Sequence, residues 1–133
     1  MTNSETLMPV LTADAPRAAG HYSQAIIAGN QVYISGQLPI RPDGTPLPND
    51  SFEEQARQAI QNLLAILAAA GGTPQRLARV TVYIVGVGNW PRFNAIYAEM
   101  LPDARPARSV VPVPELHYGF LVEIDAIAVL PTA

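Results

Sequence analysis

Apolar positions in this chain change period several times, and each change marks an element. Leu7 to Leu11 reads as a short edge strand. Gln24 to Ala28 and Gln31 to Ser35 are two brief apolar runs split by Gly29-Asn30, the signature of a β-hairpin. Residues 41–50, RPDGTPLPND, carry Pro, Gly and Asp and form a surface loop. Beyond them the period becomes helical. Ala56, Ala59, Ile60, Leu63, Leu64, Ile66, Leu67 and Ala70 define one wide buried face. Ser51 and Glu54 have capping-box spacing, and Gly71-Gly72 supplies the stop. Leu77 to Val85 is β-branched and strand-like. Asn89 is placed to cap a second helix over 91–101, with Pro91 in its first turn. Ser109 to Val113 and Phe120 to Val129 read as strands. The expected fold is α+β: a sandwich of a mixed sheet with two helices on one face, in a single domain spanning 1–133.

Composition narrows the chemistry. Hydrophobic residues make up 49% of the 133 and charged residues 14%. With apolar residues on both faces of the last strand, the second sheet face is expected to meet another subunit, a layer of loops being the alternative cover. All eight cations are arginine, so lysine Schiff-base chemistry and a pyridoxal-phosphate anchor are excluded. Cysteine is absent, which removes disulfides, thiol nucleophiles and thiolate metal sites. A net charge of −3 with scattered arginines argues against a nucleic-acid surface. No run approaches the ~20 apolar residues of a membrane span. The N-terminal MTNSETLMPV has neither a basic nor an apolar signal region, so a cytoplasmic location and no membrane partner are expected. His21 and His117 have no metal-type partners at useful spacing, and no metal is expected. Gly86-Val87-Gly88 fails the dinucleotide fingerprint because Pro91 stands at the third glycine's place.

Two places invite chemistry. In RPARS (105–109) the guanidinium of Arg108 offers a planar fork for a carboxylate; an ordinary surface ion pair is the alternative fate. In LVEIDAIAV (121–129) alternation puts Glu123 and Asp125 on one face with Leu121, Ile127 and Val129. Acids in an apolar strand are costly to bury unless paired, and such a carboxyl with a raised pKa serves as acid or base. Facing solvent, or each bound to an arginine, the same acids are only structural. Weaker candidates are Ser35-Gly36 at a strand end, where glycine permits close approach, Tyr22 beside Gly20, and Asn94 on the second helix.

The segments GHYSQA (20–25), YISGQLP (33–39), EEQARQAIQNLLAILAAAGG (53–72), VTVYI (80–84), FNAIYAEM (93–100), RPARS (105–109) and LVEIDAIAV (121–129) together resemble the RidA/YjgF family, in order and over nearly the whole chain. The resemblance implies a chorismate-mutase-like sandwich and a homotrimer with ligand clefts between subunits. It also implies cofactor-free hydrolysis of reactive enamines and imines, of the 2-aminoacrylate and 2-iminopropanoate type, to 2-oxo acids and ammonia. Under it Arg108 matches the carboxylate clamp and Glu123 the acid that activates water. Ser35, Gly36, Tyr22 and Asn94 match cleft residues, and Val110 stands where many members carry cysteine. Three departures bear on the cleft: His21 in place of a proline, Arg105 in place of an apolar residue, and the loop ELHYGF (115–120). They leave open a deaminase for a bulkier enamine, beside a non-catalytic module that binds a small carboxylate or 2-oxo acid.

Overall fold

The computed structural model describes residues 6–132. Six strands form one sheet in the order β1-β2-β3-β6-β4-β5. They are β1 (Leu7–Val10), β2 (Ala25–Ala28), β3 (Gln31–Gln37), β4 (Leu77–Val85), β5 (Ala107–Val113) and β6 (Val122–Val129). All pairings are antiparallel except β4 with β5. A parallel pair needs a crossover, and α2 (Trp90–Met100) supplies it. The longer α1 (Phe52–Ala69) connects β3 to β4. The mixed sheet with two helices is thus the expected α+β arrangement.

Local chemistry explains the element ends. Gly29 takes φ +62 at the first turn residue of the β2–β3 hairpin, a conformation costly for other residues. The Ser51 hydroxyl accepts from the Glu54 amide at 3.2 Å, as its capping spacing requires. At the other end of α1, Gly71 takes φ +94. Its amide donates to the Ala68 carbonyl and that of Gly72 to Leu67, closing a Schellman motif. Asn89 departs from expectation. Its side chain donates to the Val85 carbonyl and accepts from Arg92, and makes no cap bond to α2. The last two strands also shift: β5 begins at Ala107 and β6 at Val122, so Arg108 lies inside a strand rather than in the loop before it.

Both helices cover the same sheet face. Beneath them Val32, Val80, Val82, Ile84, Val122, Ile124 and Ala128 are nearly or fully buried, together with Ile60, Leu63, Ile66 and Phe93 from the helices. Strand alternation sends Tyr33, Thr81, Tyr83, Glu123, Asp125, Ile127 and Val129 to the opposite face, where register pairs Tyr83 with Glu123 and Tyr33 with Ile127. Among the described residues no helix packs there, and these side chains are half-buried or exposed. No helix is long and apolar enough to cross a membrane among the described residues.

Candidate active site

Glu123 projects from β6 on the open sheet face and meets a defect built for it. The β3–β6 register slips between Ile34 and Gln37, leaving Ser35 and Gly36 against one residue of β6. A methyl group at Gly36 would stand 2.1 Å from Glu123 Oε2 and 3.1 Å from its Cδ. Only glycine lets the carboxylate lie against the bulge. Ser35 anchors the bulge, its hydroxyl donating to the Ser23 carbonyl at 2.6 Å and its amide to that of Gln24 at 3.0 Å. Burial holds the Glu123 carboxyl above the usual range, Asp125 adds to the effect and His117 partly offsets it. Asp125 is also raised by burial, with the Tyr83 hydroxyl and Arg79 opposing.

A cleft of about 280 Å³ opens beside Gly36, walled by Tyr22, Leu38, Ile40, His117 and Tyr118. The Tyr22 ring packs on Gly20, and its hydroxyl accepts from the Ala19 amide at 3.3 Å. Buried amides set these walls. Gln24 accepts from the Thr12 amide and donates to the Thr12 and Pro16 carbonyls, tying the 12–16 segment to β2. Asn62 donates to the carbonyls of Leu38 and Ile40 from inside α1. Gln55 donates to Pro48 and Asp50 and accepts from the Leu121 amide. The reading of candidate residues missed these amides. Their signal is the stripe Gln55-Ala59-Asn62-Ile66, two amides on an otherwise apolar helix face.

Arg108 is elsewhere. It registers with Val80, which is fully buried under the helices, so it points to the helix side of the sheet. Its guanidinium carbon stands 5.0 Å from the centre of the Tyr97 ring, a cation–π arrangement. No carboxylate pairs with it among the described residues. Arg108, Arg105, Tyr97, Ala98 and Leu101 line a groove of about 310 Å³. Asn94 is exposed on α2 one turn before Tyr97 and Ala98, on the same helical stripe. Val110 shares the Arg108 face of β5, registers with Val82 and packs on the core. Tyr97, which lies against Arg108 in this groove, was passed over in the sequence reading; its position three residues after Asn94 was the signal.

The seven candidates therefore fall into two groups. Tyr22, Ser35, Gly36 and Glu123 gather at the bulge, and Asn94, Arg108 and Val110 gather between α2 and β5. β4 lies between β6 and β5, and Arg108 aligns through Val80 with Ala126, three residues from Glu123. At strand spacings this puts the two backbones about 10 Å apart across the sheet and about 10 Å along it. Their side chains leave opposite faces. Within one chain the sheet itself lies between the two side chains.

Among the described residues no group of three or more His, Asp or Glu could hold a metal ion. The fold and its two residue groups define a small α+β protein with an arginine on the helix-covered sheet face and a carboxyl whose pKa is raised by burial on the other. Residues 12–130 match the family model described as Endoribonuclease L-PSP. A RutC family protein of Pyrococcus horikoshii is 40% identical over 119 residues, covering 90% of this chain and 94% of that one. Among solved structures, RidA from the Antarctic bacterium Psychrobacter sp. superposes with TM-score 0.88 at 36% identity, covering 92% of this chain and 99% of its own. Escherichia coli TdcF, solved with bound serine, superposes with TM-score 0.87 at 33% identity, covering 93% and 99%. The chain belongs to the RidA/YjgF family.

Proposed function

We propose that the chain is a hydrolase of reactive 2-imino acids and their enamine tautomers, and that each active site is assembled from two copies in a homotrimer. The carrying observation is the pair of half-sites: a carboxyl whose pKa is raised by burial, lying against Gly36, and an arginine with no carboxylate partner among the described residues. Each half lacks what the other holds. An interface joining the helix-side groove of one copy to the open-face bulge of the next completes a site, and a head-to-tail interface with a rotation of a third of a turn closes into a three-membered ring. The uncovered face bearing Tyr33, Tyr83, Ile127 and Val129 supplies apolar surface for that contact.

In the completed site Arg108 binds the substrate carboxylate through its fork, with the guanidinium held in place by Tyr97. This fixes the imine carbon near Glu123 of the adjoining copy and supplies orientation. Glu123 takes a proton from water as it adds to the imine carbon. It returns that proton to the nitrogen of the resulting carbinolamine, then takes the proton of the new hydroxyl as the carbon–nitrogen bond breaks and passes it to the departing ammonia, so that an iminium and water give a 2-oxo acid and ammonium. One carboxyl serves both steps because burial brings its pKa toward the working range. No cofactor is called for. That TdcF binds serine, a small molecule with one carboxylate and one amine, supports the ligand class. The family description names an endoribonuclease, but a net charge of −3 does not favour an RNA surface here. The remaining alternative is a non-catalytic sensor of small carboxylates in the same cleft.

The test is 2-oxo acid release from imines generated in situ by an amino-acid oxidase. Acceleration over the spontaneous rate that vanishes in Arg108→Ala supports the hydrolase. Tight 2-oxo acid binding with no acceleration of any imine supports the sensor.

A further inference from the structure

The loop between β5 and β6 holds a residue whose conformation has a cost. Tyr118 takes φ +60, the one non-glycine residue in the left-handed region among the described residues. A tyrosine there is strained and persists only where its surroundings hold it. Gly119 follows at φ +76, and the two turn the Tyr118 ring outward, leaving it 61% exposed. The ring is nevertheless ordered by its neighbours. Its centre lies 3.7 Å from that of His117 and 5.9 Å, edge-on, from that of buried Phe120. His117 in turn lies within charge reach of Glu123. The aromatic pair lines the cleft with Gly36, against which the Glu123 carboxylate lies.

The cleft beside Gly36 continues past Tyr118 into a groove of about 780 Å³. The two spaces share Pro16, Arg17, Ala18, Ala19, Ile40 and Tyr118 as walls, and Pro42, Pro46 and Pro48 extend the second. Arg17 and Asp43 are its charged residues. A methyl or ethyl side chain beside Glu123 leaves most of this surface unused.

We infer that Tyr118, packed at a tilt against His117, is a specificity-determining wall of the cleft, and that the preferred substrates are 2-imino acids with a large apolar or aromatic side chain. The inference rests on the hydrolase reading above. The carboxylate and imine stay between Arg108 and Glu123, and the side chain runs over the Tyr118 ring into the proline-lined groove. An aromatic side chain gains both burial and ring–ring contact there.

The experiment compares imines generated from phenylalanine and from alanine, and the binding of phenylpyruvate and pyruvate by calorimetry. The variants are Tyr118→Gly, which suits the left-handed backbone, and Tyr118→Phe, which keeps the ring. Wild type is expected to favour the aromatic imine in kcat/KM and to bind phenylpyruvate more tightly. Tyr118→Gly should lower the aromatic-to-small ratio on the order of tenfold or more, and Tyr118→Phe should retain it. Equal loss on both substrates in Tyr118→Gly overturns the inference in favour of a merely structural loop. So does a wild-type preference for the small imine with no preference for phenylpyruvate, and the hydrolase then stands. Tighter phenylpyruvate binding that depends on Tyr118, with no imine accelerated, removes the hydrolase and keeps the aromatic wall.

Discussion

Replacing Gly36 by alanine tests the contact on which the proposed chemistry depends. The added methyl would stand 2.1 Å from Glu123 Oε2, where carbon and oxygen need about 3.5 Å. The carboxylate oxygen must retreat by roughly 1.4 Å. Backbone strain does not confuse the result, because Gly36 is not among the positive-φ residues. The clashing atom is the far end of a flexible side chain, so the fold survives and the carboxylate gives way. Misplacing a reacting group by about 1 Å can cost about 10²-fold in rate, equivalent to roughly 2.7 kcal/mol of transition-state stabilisation. The assay is kcat/KM for imine hydrolysis in wild type, Gly36→Ala, Glu123→Gln and the double variant, with a melting curve for each. Gly36→Ala should lose on the order of 10²-fold with little change in melting temperature. In the Glu123→Gln background it should cost almost nothing more, since the two act as a unit. Wild-type activity in Gly36→Ala, or fully additive losses in the double variant, would refute the coupling of bulge and carboxylate.

Other consequences are open to direct measurement. Arg108→Ala should weaken binding of a 2-oxo acid by on the order of 10- to 100-fold in calorimetry, as expected for a charge-assisted fork, and Arg108→Lys should recover only part of it. The hydrolysis rate should fall as pH drops through the Glu123 pKa, with the acid limb above the ordinary 4.5 because burial and Asp125 oppose ionisation; a pH–rate profile of kcat/KM locates it, and Asp125→Asn should move the limb to lower pH. Asn62→Ala strips the Leu38 and Ile40 carbonyls of their donor and should destabilise by about 1–3 kcal/mol, read as a lower denaturation midpoint at unchanged slope.

The elements were legible where one local rule decided them. The apolar stripe of α1, its serine cap and its paired glycines follow from helical spacing and backbone freedom, and the hairpin follows from Gly29. Alternation alone put Glu123 and Asp125 on one face of β6. Arg108 was harder. The burial of β5 shows no clean alternation, and its side is set by parallel pairing with β4, a long-range fact absent from the local pattern. Placing the strand start at Ser109 hid the residue's orientation further. Gly36 was readable as a point of close approach, but not that Glu123 was the approaching group, because a register slip between distant strands brings them together. Asn89 had the right composition for a cap and the wrong backbone, since Val85 captures its amide.

The central claim is that Arg108 and Glu123 act on one substrate from two different copies of the chain. Mixed trimers test it most directly. Arg108→Ala and Glu123→Gln subunits, each inactive alone, are unfolded together, refolded in equal amounts and assayed for imine hydrolysis. In a head-to-tail ring every mixed trimer regains one intact site, so about a quarter of the wild-type activity should return. If the mixture, shown to contain mixed trimers, stays as inactive as its parents, the two residues act within a single chain and the account is wrong.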